Sequence, residues 1–377
     1  MLGAYRIWLD PLSKYPGPRL YAASRLPWLY HFVRGDQPHV LCKLHDIYGE
    51  VVRTAPNELS FVTPGAQRDI HSHAKAQYFP KERKHYPQRD RIVRGILTAD
   101  EVDHTRHRKA WSPAFSERAL REQESLFQIY IDALAELLQK NSVDVTGQDA
   151  VVNFDRVMNW TTFDIVGHLV FGEAFGCLRD TAFHPWVAMI FDNLKAASFV
   201  QAIKFYPFLV PLLQMMIPKS LLRKRQESYD FATAQVAKRI ENGSDMPDFL
   251  SYVLDHRGKT SLSRLEIEMD SSIMITAGSE TAATAMSAVM FYACRNPDVM
   301  ARLISEIRGT FQHEKDITAV GVGQLKFLNA CIEEALRLFP PVPAGLPRRL
   351  SNCDGMIIGG RWVPSNVSGS PVLCNEY

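Results

Sequence analysis

Three small groups of residues have types and spacings suited to chemistry. The first is Ala277-Gly278-Ser279-Glu280-Thr281-Ala282, set in a long apolar stretch. Ile273, Ala277, Thr281, Thr284 and Ala288 recur at three and four residues, so on a helix they share one small, partly hydroxylated face. A large flat group fits against such a face, and Glu280 beside Thr281 is an acid–alcohol pair able to pass protons. Gly278 costs a helix interior about 1 kcal/mol relative to Ala. Either close helix packing or a widened groove over a cofactor compensates, and the residues alone leave both open. The second group is Glu334 and Arg337, three apart and therefore side by side on a helix. Leu328, Cys331, Ile332, Ala335 and Leu338 around them are apolar, and Pro340-Pro341-Val342-Pro343 stops the helix. The pair reads as a solvated ion pair or, if buried, as a structural lock. The third is His104 and Arg108, four apart, which project together and suit a carboxylate-bearing ligand. A solvated basic face is the plainer reading of those two.

Other motifs fall short. His71-Ser72-His73 lacks a third metal ligand nearby and reads as a solvated loop. Gly321-Val322-Gly323 lacks the third glycine of a dinucleotide site and follows no strand. His313-Glu314 lacks the second His of a zinc-protease helix, and no Gly-x-Ser-x-Gly elbow occurs. The six cysteines are scattered without a CxxC, which indicates neither a disulfide framework nor a zinc ribbon and suits a reducing compartment.

The elements that must position these groups read as mainly α with a minor β portion. Helical periodicity is clear at 124–138, 154–171, 229–241, 265–295 and 297–311, with a shorter helix at 38–48. Strand signals occur at 51–55 and 59–62, around a Pro-Asn-Glu turn, and again at 356–358 and 362–363. Residues 205–218 form an apolar, proline-rich run followed by Arg223, Lys224 and Arg225. That run is either a buried connection or a patch that dips into a membrane. At 377 residues and 46% hydrophobic the chain can bury a sizeable core. A formal charge of +2, from 43 basic and 41 acidic residues, argues against a nucleic-acid binder. No run of eighteen apolar residues exists, so no transmembrane anchor is expected, and the opening is too polar for a signal peptide.

Taken together and in order, the motifs resemble those of a cytochrome P-450, a haem-thiolate monooxygenase of the fungal microsomal type. The likeness is to the trichothecene C-15 hydroxylase and benzoate 4-monooxygenase group. It also takes in Pro16-Gly17-Pro18, Tyr48-Gly49, Phe171-Gly172-Glu173 and Asn296-Pro297 leading to Glu306-Ile307-Arg308. The resemblance implies a cytochrome P-450 fold in one large domain over residues 1–366. It implies that Ala277 and Gly278 lie over haem b, and that Glu280 and Thr281 deliver the protons needed to cleave dioxygen. His104 and Arg108 match positions that hold a haem propionate, and Arg348 matches a second propionate contact. Glu334 and Arg337 match a buried ion pair that fixes the fold.

The resemblance further implies an oxidoreductase that hydroxylates an apolar small molecule of secondary metabolism. Its electrons would come from NADPH through an NADPH-cytochrome reductase, at the cytoplasmic face of the endoplasmic reticulum, with peripheral membrane contact. Agreement stops at Asn366, and residues 367–377 look unrelated. The Phe-x-x-Gly-x-Arg-x-Cys-x-Gly loop, whose thiolate ligates iron, does not occur, so no metal ligand is assigned, Cys374 included. The expectation is a fold incomplete at its C-terminus. The alternative function is a catalytically inactive, truncated remnant, a membrane-associated binder of lipophilic molecules.

Overall fold

The computed structural model describes residues 1–72, 78–86, 93–141, 151–206, 211, 219–243, 247–255, 262–352 and 354–371. Its first helices are α1 (Leu2–Trp8), α2 (Arg19–Ala23), α3 (Leu26–Arg34), α4 (Gln37–Tyr48), α5 (Pro64–His71) and α6 (Glu101–Trp111). There follow α7 (Glu117–Glu122), α8 (Glu124–Lys140), α9 (Phe154–Phe171), α10 (Cys177–Asp180), α11 (Pro185–Ile203) and α12 (Lys219–Asn242). The last are α13 (Phe249–Asp255), α14 (Arg264–Arg295), α15 (Pro297–Thr310), α16 (Ala319–Gly323) and α17 (Lys326–Leu338). The strands are β1 (Val51–Ala55), β2 (Glu58–Phe61), β3 (Arg348–Arg349), β4 (Met356–Ile358), β5 (Arg361–Val363) and β6 (Ser368–Pro371). The mainly α reading with a minor β portion therefore holds.

The chain divides into two compact units, and each is described by itself. The first comprises Met1–His104, Asn193–Lys219 and Val342–Tyr377. Its sheet runs in the order β1-β2-β6-β3, with β2 and β6 parallel and Glu58 opposite Ser368. A β4-β5 hairpin stands beside it. Leu59, Phe61, Ile70, Phe79, Leu350, Ile358 and Val367 form the core under the sheet. Gly17 is required at its place: a Cβ there would meet the Arg53 carbonyl oxygen at 2.6 Å, while Arg53 N–H donates to Pro16 O at 2.7 Å. The buried Arg53 guanidinium ties α1 to the hairpin, donating to Arg6 O at 2.7 Å and Pro56 O at 2.6 Å. Strand β6 lies in the stretch that looked unrelated by sequence, yet it pairs on both sides.

The second unit comprises Thr105–Asp192 and Ser220–Pro341. Its centre is α14 packed along α9, with Phe163, Val170, Ile275 and Ala283 fully buried. Ser263 caps α14 reciprocally with Glu266, which fixes where this 32-residue helix starts. Asn153 caps α9, and Gly172, in the left-handed region at φ 74°, ends it. Asp164 on α9 accepts from Cys177 N–H at 3.0 Å and Leu178 N–H at 2.8 Å, turning the chain into α10.

Candidate functional site

Within the second unit, α14 carries the acid–alcohol pair. Ser279 is buried and its hydroxyl donates to Thr162 O at 3.5 Å, so this side faces α9. Gly278 belongs to the same side: a Cβ there would stand 3.4 and 3.5 Å from the Val166 methyl groups. Those are ordinary contact distances, so packing against Val166 does not by itself require glycine. Ala277 is exposed, and the partly exposed Thr281 donates its hydroxyl to Ala277 O at 2.6 Å. Along the same face Ile273 and Thr284 are partly exposed and Ala288 is buried. Glu280 sits on the flank between the packed and open faces, half-buried, with Oε2 buried and without a hydrogen-bond partner. Burial pushes its carboxyl above the usual range, and the charge of Asp155 adds to the rise. A carboxyl so placed holds its proton longer than a solvated one.

On α6, His104 is half-exposed and Arg108 exposed, four residues apart. The opposite side of this helix holds a cluster that sequence reasoning missed. His107, fully buried, bonds through Nδ1 to Asp270 Oδ2 at 2.5 Å, and Trp111 Nε1 donates to the same oxygen at 2.8 Å. Arg106 clamps Glu266 at 3.2 and 2.5 Å. Burial alone would raise the Glu266 carboxyl, but Arg106 and Ser263 overcome it and hold it at about 2. The available signal was His107 and Trp111 one turn apart on a helix read only as basic.

Within the first unit, Arg348 lies on β3 and bridges in antiparallel fashion to Lys81. The Lys81 ammonium donates to Ile96 O at 3.1 Å. Burial and then the Arg348 charge push it down to about 8, against the pull of Glu101 and Asp100. The His71 imidazole is lowered by burial and by the same guanidinium. Burial raises the Tyr86 phenol, whose hydroxyl is buried without a partner, and the Arg348 charge opposes that rise. Arg348 Nε is likewise buried and unpartnered. Two cations, an imidazole and a phenol thus share one electrostatic neighbourhood, in which Glu101 and Asp100 also act on Lys81. His71, expected in a solvated loop, instead closes α5 half-buried. His73 lies outside the described residues.

Glu334 and Arg337 do meet, at 2.7 and 2.8 Å. Burial was the wrong expectation for this structure: their side chains are 56% and 53% exposed. The apolar neighbours that suggested burial are themselves covered, Ala335 fully and Leu328, Cys331, Ile332 and Leu338 in part, but Glu334 and Arg337 stand on the exposed side of the helix with Leu336. Here the pair is solvated.

Most of residues 205–218 lie outside the described residues. Phe205 is described, and its ring packs on Trp28 and His85 under the Arg25 guanidinium. Arg25 donates to the buried Glu58 at 2.7 Å. Burial opposes ionisation of Glu58, yet Arg25 and His85 hold its carboxyl at about 2. Among the described residues no helix is long and apolar enough to cross a membrane. The described cysteines, Cys42, Cys177, Cys294 and Cys331, are free thiols, and Cys374 lies outside the described residues. A cavity of about 920 Å³ beside α8 is lined by Glu124, Asp132, Glu136, His313, Glu314 and Lys315 among others, and contains none of the acid–alcohol, ion-pair or carboxylate-binding residues.

Comparison with known proteins bears on these arrangements. The family model described as Cytochrome P450 matches residues 16–371. Cytochrome P450 monooxygenase astJ of Aspergillus oryzae is 40% identical over 368 residues, covering 97% of this chain and 73% of the relative. Averantin hydroxylase of Dothistroma septosporum is 39% identical over 376 residues, covering 99% and 69%. Averantin hydroxylase of Aspergillus parasiticus is 38% identical over 370 residues, covering 97% and 73%. The family match runs through β6, beyond Asn366.

Proposed function

Because this chain belongs to the cytochrome P450 family of monooxygenases, we propose that it hydroxylates an apolar small molecule of fungal secondary metabolism, drawing electrons from NADPH through a reductase. The observation that carries the reading is Glu280 with Thr281 on an otherwise small helix face, the carboxyl half-buried and partly unpartnered. The residues present fit haem in one respect, within the first unit: Arg348 Nε and the Tyr86 hydroxyl are buried, unpartnered donors suited to a carboxylate. When bound, haem supplies the activation of dioxygen.

The rest is the work of side chains. Arg348 and Lys81 accept a carboxylate by charge, and Tyr86 adds a hydroxyl donor. On α6, His104 and Arg108 offer a further pair of donors for the same purpose. Glu280, whose carboxyl burial shifts above the usual range, is the proton reservoir. The Thr281 hydroxyl, now donating to Ala277 O, is the group able to turn and pass the proton on. Membrane contact is part of the proposal. Leu2, Trp8, Leu9, Leu20 and Leu26 of the first unit are all more than 60% exposed, with Arg6, Lys14 and Arg19 interspersed, a pairing that favours an anionic lipid surface.

The test is to express the chain with a fungal NADPH-cytochrome P450 reductase and offer it a panel of terpenoid and aromatic lipophiles. NADPH-dependent hydroxylated product is expected, with Thr281→Ala consuming NADPH but losing most of the product. Unchanged product formation in Thr281→Ala would remove Thr281 from the role given to it. Binding of the lipophile with no product at all favours the second reading, a membrane-associated binder without catalytic activity.

A further inference from the structure

Helix α6 has little apolar surface with which to fix its own rotation: its buried residues are His107, Ala110 and Trp111. His107 and Trp111 lie one turn apart, and both are fastened to one oxygen of α14. The His107 Nδ1–H donates to Asp270 Oδ2 at 2.5 Å, and the Trp111 Nε1–H donates to the same atom at 2.8 Å. His107 and Asp270 are wholly buried and Trp111 nearly so. The other imidazole nitrogen, Nε2, stands 3.5 Å from Glu266 Oε1. Glu266 is clamped by Arg106 and also accepts from the Ser263 N–H and hydroxyl, at 2.7 and 2.9 Å. All of these residues belong to the second unit. Thus α6 is fastened twice to the start of α14, at Glu266 and one turn later at Asp270. A desolvated carboxylate destabilises unless its hydrogen bonds are made, so the two N–H groups have little freedom to move about the axis of α6.

We propose that Asp270 is a positioning residue: by holding the His107 and Trp111 N–H groups it sets the rotation of α6, and so the direction from which the Arg108 guanidinium meets a ligand carboxylate. This rests on the reading of Arg108 as a carboxylate donor. Arg106 and Arg108 flank the His107 edge, each about 100° round the helix from it. Arg106 is engaged by Glu266, whereas Arg108 is exposed. The Arg106 clamp alone would let α6 rock about that flank, and the second fastening at Asp270 stops it. Rocking matters at the end of a long side chain, because a guanidinium binds a carboxylate well only when its N–H groups are in line. Leucine at 270 would fill the space but leave two buried donors unpaired. Asparagine would still offer them an oxygen.

The experiment reads the preference for haem over haem dimethyl ester, since a loss of structure alone weakens both alike. Binding is followed by quenching of tryptophan fluorescence in the 377-residue chain. Asp270→Leu should lower the preference about twofold, the scale of one exposed donor, and Asp270→Asn should keep it. Arg108→Gln should lower it by a similar factor, and adding Asp270→Leu to Arg108→Gln should lower it no further. The Trp111 indole N–H resonance, assigned with Trp111→Phe, should shift in Asp270→Leu and return in Asp270→Asn. Should Asp270→Leu lose cooperative melting, Trp111→Phe, which removes one of the two bonds, takes its place in the same comparison. Haem and ester weakened together, with the preference unchanged, would overturn the proposal and leave Asp270 a packing residue. So would a further fall in the Arg108→Gln background, because Asp270 would then act without Arg108. Arg108→Gln without effect would remove the reading of Arg108, and the proposal with it. If the preferences behave as stated while the chain makes no product, the hydroxylase reading fails and the positioning role stands.

Discussion

Replacing Lys81 with Met should stabilise the chain while weakening its hold on carboxylates. Folding lowers the Lys81 ammonium from 10.5 to about 8, through burial and then the Arg348 charge. Below pH 8 both states carry the proton, and the folded state bears the full penalty of a charge near Arg348. Between 8 and 10.5 only the unfolded chain keeps it, so stability rises with pH across that window and the penalty is gone above it. The shift corresponds to about 3 kcal/mol before screening. Lys81 is partly exposed, so solvent screening reduces this to roughly 1–2 kcal/mol. Loss of the bond to Ile96 O takes back part of that, about 1 kcal/mol. Urea unfolding at pH 7 should therefore show Lys81→Met more stable by up to about 1 kcal/mol. On raising the pH towards 10 that advantage should vanish and reverse, leaving the loss of the bond to Ile96 O. A destabilised Lys81→Met at pH 7, or a difference independent of pH, would refute the account of this neighbourhood.

Three further outcomes are expected. The Glu58 carboxyl, held at about 2 against 4.5 unfolded, stabilises the first unit above pH 4.5 and loses that contribution as pH falls towards 2. Acid unfolding followed by tryptophan fluorescence should shift to higher pH in Arg25→Ala, a buried pair whose breakage costs about 3–5 kcal/mol. Gly278→Ala should stabilise α14 by up to about 1 kcal/mol in thermal melts, since its Cβ finds ordinary contact with Val166; a marked loss would mean that the packing there is tighter than described. Glu334→Ala, at an exposed pair, should leave the melting midpoint of this chain nearly where it was.

Much of the helical framework was legible because apolar spacing records which face is buried. The periodicity of 154–171 and 265–295 located α9 and α14 almost to the residue. Strands β3 and β6 were not legible. Ser368-Gly369-Ser370-Pro371 has no apolar alternation, and pairing with β2 and β3 makes it a strand. The same limit applies to the site. Glu280 and Thr281 are neighbours in sequence and could be read directly. Lys81, His71 and Tyr86 come under the charge of Arg348 only when the chain returns to the first unit more than 260 residues later. The Glu334–Arg337 pair shows the opposite error: its apolar neighbours are covered on one side of α17, while the pair stands on the exposed side with Leu336.

The central claim is that the residues around Arg348 form a receptor for the carboxylates of haem. The direct measurement compares the binding of haem and of haem dimethyl ester, which has the same ring and iron but no carboxylates. Quenching of tryptophan fluorescence in the intact chain and in Arg348→Gln reports it. Haem should bind the intact chain at least about tenfold more tightly than the ester, a difference of about 1.4 kcal/mol, and Arg348→Gln should abolish most of that preference. Equal binding of haem and its ester to the intact chain would contradict the account.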